Sequence, residues 1–177
     1  MFDREQFIAD CRAALDGERG ARNVREVVAR AVTDPAAVIQ GLGEPKQGGV
    51  QPLYRSPELT IINFVWPAGR VIMPHNHAMW AVIGIYSGRE DNILWRRRPG
   101  EANGRIEAAG AKALSAKEAL SLGADAIHSV VNPLSRLSGA IHVYGGDFFG
   151  VSRSEWDPDS LHEKPFDMEK VLRMFAQ

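Results

Sequence analysis

The apolar positions of the first forty residues repeat with the period of an α-helix. Apolar side chains at positions 7, 8, 11, 14 and 15 share one helical face, and Gly17 and Gly20 then interrupt the pattern. A second amphipathic stretch covers residues 23–32, where the apolar side holds Val24, Val27, Val28 and Ala31. Two helices are therefore predicted in this part of the chain.

Capping residues and spacing predict two more helices. Asp34 followed by Pro35 is typical of an N-cap and a first helical residue, and this short helix is expected to end near Gly41 and Gly43. Near the end of the chain, residues 167–175 form a further amphipathic segment. Its apolar face holds Met168, Val171, Leu172 and Phe175.

The pattern changes after residue 43, because Gly and Pro recur and the runs between them are short and rich in Val, Ile, Leu and aromatic residues. These runs predict strands over residues 59–66, 70–73, 81–86, 92–97, 119–122, 129–131 and 141–144. Regularly spaced short strands indicate an all-β sandwich or barrel. We predict one domain over residues 1–177, with a helical segment (1–43), a barrel (50–150) and a tail with a short helix (157–177).

Composition excludes several classes of protein. The 21 Lys and Arg residues balance 22 Asp and Glu residues, so the basic excess typical of nucleic-acid binding is absent. The single cysteine, Cys11, cannot form an intramolecular disulfide. The first residues show no apolar run of signal-peptide length, and no stretch approaches the ~20 apolar residues of a membrane span. A cytoplasmic protein without nucleic-acid or membrane partners is expected.

Three histidines carry the clearest chemical signal. His75 and His77 are separated by one residue, and residues two apart on a strand point to the same face. Neutral imidazole is the commonest protein ligand for transition metals. Gly69 lies six positions before His75, and Gly88 follows an apolar strand; farther along, His128 stands in a segment that begins at Gly123 and ends at Asn132.

These two segments resemble the two sequence motifs of the cupin family. The resemblance implies an all-β double-stranded β-helix, a jelly-roll barrel with short N-terminal and C-terminal helices, and a metal held by His75, His77 and His128. Many cupins add a carboxylate ligand at the position that Ala81 occupies here. Three neutral ligands would leave the metal its full dipositive charge, which favours an anionic, chelating substrate.

The segment from Ala140 to Tyr144 resembles the Ser-x-His-x-Tyr strand of cysteine dioxygenase-like, bacterial thiol dioxygenases. The resemblance implies that Tyr144 and His142 act around the metal, although Ala140 replaces the serine. It also implies that Arg55 binds the substrate carboxylate and that Trp80 lies beside the substrate. The cysteine that some members cross-link to the tyrosine would fall on Ala81.

The family resemblance implies an Fe(II)-dependent dioxygenase that oxidises a small thiol, of the cysteine or 3-mercaptopropionate type, to its sulfinate with O2. Three imidazoles also accept Ni, Zn or Co, so a purified sample could hold one of these metals. Two alternatives remain open: a three-histidine oxygenase of the β-diketone cleavage type, and a non-catalytic cupin that binds metal or senses a small molecule. Because such barrels often pair through an edge strand or an N-terminal segment, a homodimer is expected.

The remaining charged residues are expected to lie at the surface. Glu90 and Asp91 follow a turn and are predicted to be solvated or paired with the arginines at positions 96–98, which mark a solvated strand end. His162 lies outside both motifs and is predicted to be exposed.

Overall fold

The computed structural model describes residues 2–15, 20–100 and 104–176. The helices in these ranges are α1 (Arg4–Leu15), α2 (Gly20–Val32), α3 (Pro35–Leu42) and α4 (Met168–Phe175). The strands are β1 (Gly49–Arg55), β2 (Thr60–Trp66), β3 (Val71–Asn76), β4 (Ala81–Ser87), β5 (Arg89–Arg97), β6 (Ile106–Ser115), β7 (Ala119–Leu122), β8 (Ile127–Val131), β9 (Ser138–Tyr144), β10 (Ser154–Trp156) and β11 (Glu163–Pro165).

The strands form two antiparallel sheets whose order mixes early and late parts of the chain. One sheet has the order β1-β2-β9-β4-β7, and the other has the order β11-β10-β3-β8-β5-β6. Strand β9 therefore lies between β2 and β4, and β8 lies between β3 and β5. One hydrophobic cluster takes side chains from both sheets, including Phe64, Ile83 and Val130. This two-sheet jelly roll confirms the all-β barrel prediction.

The N-terminal helices cover the outer face of the five-stranded sheet. Val24, Val28 and Val32, spaced four residues apart on α2, are completely buried in a second cluster that includes Val82 and Val143. Strands β2, β4 and β9 are buried on both faces for this reason, and most of their residues are apolar.

The helix predictions agree with the structure, apart from one boundary. Helix α2 begins at Gly20, three residues before the predicted start, while Gly17 lies outside the described residues. The Asp34 side chain accepts a hydrogen bond from the backbone N–H of Ala37, and Asp167 caps α4 in the same way. No helix in the described ranges is long and apolar enough to cross a membrane.

Four strands were not predicted, and all of them belong to the outer part of a sheet. Strands β1 and β6 are edge strands, and β6 is largely exposed and rich in Ala. Pro52 adjoins an irregularity in β1. Strands β10 and β11 have three residues each. Exposed or short strands lack the apolar runs by which the inner strands were recognised.

Candidate metal centre

The sheet register brings the three histidines together. His75 lies near the end of β3, directly opposite His128 on the antiparallel strand β8. His77 follows β3, and its ring centroid lies 5.1 Å from that of His75 and 4.8 Å from that of His128. All three side chains are buried, and one nitrogen of each lies within 4.8 Å of the others. The predicted ligand triad therefore forms one cluster.

Hydrogen bonds orient two of the rings. His75 donates from Nδ1 to the carbonyl oxygen of Met73 at 2.9 Å, and His128 donates from Nδ1 to Oδ1 of Asn92 at 2.8 Å. Each of these bonds leaves a lone pair on Nε2. Outer hydrogen bonds of this kind are what fix the ring orientation of metal-binding histidines. Nε2 of His128 lies 3.1 Å from Nε2 of His77.

Burial keeps the three imidazoles neutral. It lowers the pKa of His75 to about 4, with a smaller opposing effect of the Met73 hydrogen bond. Burial also holds the pKa values of His77 and His128 well below the usual range, and the neighbouring histidines lower them further. Neutral imidazole is the form that binds metals, so these rings are ready to act as ligands at neutral pH.

The cluster fits a divalent transition metal. Two nitrogens that share an ion at ~2.0–2.1 Å lie about 3 Å apart when the bonds are near 90°, which matches the 3.1 Å between His77 and His128. Nδ1 of His77 has no hydrogen-bond partner among the described residues. Ala81 lies opposite Tyr144 and supplies no carboxylate. The donors are three neutral nitrogens. Such a set accepts several divalent metals, so the donors alone do not select one of them.

A small, mainly apolar cavity opens beside the three histidines. The aromatic and aliphatic lining residues are Val50, Phe64, Trp66, Ile72, Val130, Phe148, Phe166, Met168, Val171, Leu172 and Phe175. The polar lining comes from the three histidines together with His142 and Tyr144. Residues of α4 therefore form part of the cavity wall, although the tail had no predicted part in the site.

The structure brings Tyr144 and His142 to the same cavity. The Tyr144 ring packs edge-on against His77, with ring centroids 5.0 Å apart. Its hydroxyl lies 3.0 Å from Nδ1 of His142. Burial raises the pKa of Tyr144 well above its usual range, so the phenol keeps its proton.

The prediction for Glu90 and Asp91 was wrong in its main point. Glu90 is completely buried inside the barrel, with Oε1 3.3 Å from Nε2 of His142. Asp91 pairs with Arg89 at 2.6 Å instead of with the arginines at positions 96–98. The turn residues before Glu90 suggested exposure, whereas β5 begins at Arg89 and turns alternate side chains inward.

The expectations for the other charged residues agree with the structure. The arginines at positions 96–98 are exposed at the end of β5, and Arg96 and Arg98 both approach Glu107. Arg97 pairs with Glu163. His162 is also exposed.

Arg153 is a charged residue near the site that the sequence did not suggest. Its side chain is buried, and its guanidinium carbon lies 4.1 Å and 4.2 Å from the ring centroids of Phe148 and Phe166. It donates one hydrogen bond to the carbonyl oxygen of Phe148, while Nε and Nη2 have no partner among the described residues. Burial lowers its pKa to about 10, so it remains charged. Its charge in turn lowers the pKa of His75 and His77.

Arg55 and Trp80 lie elsewhere. Arg55 is half-exposed and forms a bidentate ion pair with Asp147, at 2.7 Å and 2.8 Å. Trp80 lines a surface depression with Arg12 and Tyr54. Neither Arg55 nor Trp80 is among the described residues that line the cavity. The structure thus does not bring the two predicted substrate-binding residues to the metal centre.

Comparison with known proteins supports the fold. No family model matches the sequence. A protein from Bacillus halodurans is 15% identical, with a TM-score of 0.50 over 61% of this chain and 77% of its own. An RmlC-like cupin family protein with a double-stranded β-helix fold, from Methanocaldococcus jannaschii, is 14% identical, with a TM-score of 0.48 over 60% of this chain and 87% of its own.

Fold and site together define a class. The order of the strands in the two sheets is that of a jelly-roll barrel, as predicted. Inside the barrel it carries three buried histidines that could bind a metal ion.

Proposed function

We propose that the protein is a mononuclear non-haem iron dioxygenase that converts a small thiol carboxylate into its sulfinate. In this reaction both atoms of O2 are transferred to the sulfur of the thiolate. An Fe(II) ion on His75, His77 and His128 would bind the thiolate and enable its reaction with O2. The observation that carries the proposal is the hydrogen-bonded pair of Tyr144 and His142, which faces the same cavity as three neutral ligands.

The neutral ligand set favours an anionic substrate. Three imidazoles leave a dipositive ion uncompensated, and Arg153 adds another positive charge close by. A substrate with a thiolate and a carboxylate would offset both charges. The apolar walls would exclude water around the reacting groups and strengthen these electrostatic interactions.

We assign the substrate carboxylate to Arg153 and not to Arg55. Two N–H groups of Arg153 lack a partner among the described residues, and a carboxylate can accept from both of them. Arg153 is not itself among the described residues that line the cavity, but Phe148 and Phe166, which pack on its guanidinium, do line it. The guanidinium of Arg55 is already paired with Asp147.

The test is oxygen uptake after anaerobic loading with Fe(II). Cysteine and 3-mercaptopropionate should consume O2 and yield sulfinate in equal amounts, whereas cysteamine, which lacks a carboxylate, should react poorly. Absence of oxygen uptake with all three thiols would reject the proposal.

Matched arginine variants test the carboxylate assignment. A hydrogen bond to a charged group contributes about 1.5–3 kcal/mol, so Arg153→Met should lower kcat/KM for 3-mercaptopropionate about 10- to 100-fold. Arg55→Met, with an equally large change at the surface, should leave kcat/KM unchanged. The opposite ranking would return the role to Arg55.

The apolar lining favours a second candidate, oxidative cleavage of a β-diketone. Most of the lining residues are aromatic or aliphatic, which suits a diketone better than a thiol carboxylate. Oxygen uptake with acetylacetone but not with the thiols would select this alternative. A purely metal-binding or sensing protein would bind metal but show no oxygen uptake with any of these compounds.

A further inference from the structure

Glu90 is a buried carboxylate that reaches across the barrel. It lies on β5 in the six-stranded sheet, and its partner His142 lies on β9 in the five-stranded sheet. Within the described residues, Oε1 of Glu90 contacts only His142 and Oε2 has no partner. Burial of a carboxylate with so few partners costs free energy. Packing alone therefore gives no reason for an acid at this position.

The surrounding charge favours a carboxylate at Glu90. The protonated Arg153 places positive charge near the cavity, and a divalent ion on the three neutral imidazoles would add to it. Glu155, another buried carboxylate, already pairs with Lys164 and Lys170 at 3.4 Å and 3.3 Å. Glu90 is thus the buried acid that remains to offset positive charge near the cavity.

A carboxylate at Glu90 determines where His142 carries its proton. An ionised carboxylate only accepts hydrogen bonds, so Nε2 of His142 must be the donor in this contact. In a neutral imidazole the other nitrogen, Nδ1, then has only a lone pair. The hydroxyl of Tyr144, 3.0 Å from Nδ1, must therefore donate to His142.

We propose that Glu90 is a positioning residue that fixes His142 as the Nε2–H tautomer and commits the Tyr144 hydroxyl proton to His142. The Tyr144 oxygen is then free to accept a hydrogen bond from a donor group of the substrate, such as the ammonium group of a cysteine-type thiol. Ala140, on the same strand as His142, has no hydroxyl to offer as a hydrogen-bond partner. Glu90, on β5, supplies a partner for His142 instead. The importance of this arrangement for turnover rests on the proposed function.

The tautomer can be read in the metal-free protein by ¹⁵N NMR of labelled histidine. The resonances of His142 are identified by their loss in His142→Gln. In the wild type, His142 should show the Nε2–H pattern. Glu90→Leu removes the acceptor of Nε2–H, so the Nδ1–H tautomer should become the major form, with Tyr144 as its acceptor. Glu90→Gln keeps a carbonyl oxygen and should retain the Nε2–H form.

Asp91→Asn is the matched control, because it neutralises the neighbouring acid that pairs with Arg89. It should leave the His142 spectrum unchanged. A purely structural role for Glu90 is tested by thermal unfolding of the same metal-free samples. Removal of one partner of a buried pair usually destabilises a protein, so Glu90→Leu should unfold below the wild-type temperature, and the spectra are compared at a temperature at which both proteins are folded.

Two results would overturn the inference. One is an Nδ1–H tautomer of His142 in the wild type. The other is an unchanged tautomer in Glu90→Leu. Failure of the proposed function would be seen in a different experiment, as the absence of thiol oxidation by the iron-loaded wild type. In an active enzyme, Glu90→Leu should lower kcat and leave the bound iron undiminished.

Discussion

Acid should destabilise the metal-free protein in a pH range set by its buried histidines. The pKa of His75 is about 4 in the folded protein and 6.5 at its ordinary value. Below about pH 6.5, His75 binds a proton in the unfolded chain but not in the folded protein. The free energy of unfolding therefore falls as the pH is lowered. The loss is complete near pH 4, where the folded state also binds the proton.

The size of this effect follows from the two pKa values. One pKa unit corresponds to about 1.36 kcal/mol, so a fall from 6.5 to about 4 makes His75 alone responsible for about 3 kcal/mol. His77 and His128 act in the same direction. Domains of this size are stable by about 5–15 kcal/mol in total. Acidification should therefore remove a large share of the stability of the metal-free protein.

Urea unfolding followed by tryptophan fluorescence measures the effect at a series of pH values between about 7 and about 4.5. His75→Asn should reduce the pH dependence by about 3 kcal/mol. His162→Gln, which removes an exposed histidine, should leave the pH dependence unchanged. A free energy of unfolding that stays constant over this range, or an equal pH dependence in His75→Asn, would refute the reasoning.

Three further predictions follow from contacts around the site and in the core. Asn92→Ala removes the acceptor of the His128 ring and should weaken metal binding about 10- to 100-fold in a chelator competition assay; unchanged affinity would contradict this role. A Cβ at Gly84 would lie 2.4 Å from Cγ1 of Val28, so Gly84→Ala should lower the free energy of unfolding by about 1–3 kcal/mol, and equal urea midpoints would argue against this packing. Cys11 is completely buried and burial raises the pKa of its thiol to about 12, so iodoacetamide should label it only after unfolding; rapid labelling of the native protein would show the burial to be wrong.

Sequence patterns were sufficient where a residue type is tied to local geometry. Asp34 predicted a helix start because a short polar side chain can cap a nearby backbone N–H. The alternation of His75 and His77 predicted convergence, since strand residues two apart share a face. The pairing of His75 with His128, however, depends on a register between strands that are distant in the chain. The family resemblance was needed to connect these two parts of the sequence.

The misplaced residues show what local patterns cannot provide. Arg55 matches a position of the family that the sequence resembles, but its side chain pairs with Asp147, which lies on a loop far along the chain. Arg153 follows the last long strand in a polar segment, where nothing local indicates that two phenylalanine rings bury its guanidinium. Glu90 stands beside a turn and yet points into the barrel. Each outcome depends on tertiary packing, which the sequence around the residue does not record.

The central claim is that His75, His77 and His128 hold one metal ion, and metal analysis of the protein after anaerobic loading with Fe(II) and desalting tests it most directly. The wild type should retain one equivalent of iron per chain, His162→Gln should retain the same amount, and His77→Ala should retain almost none. A wild type without bound iron, or a His77→Ala variant with undiminished iron, would contradict the account.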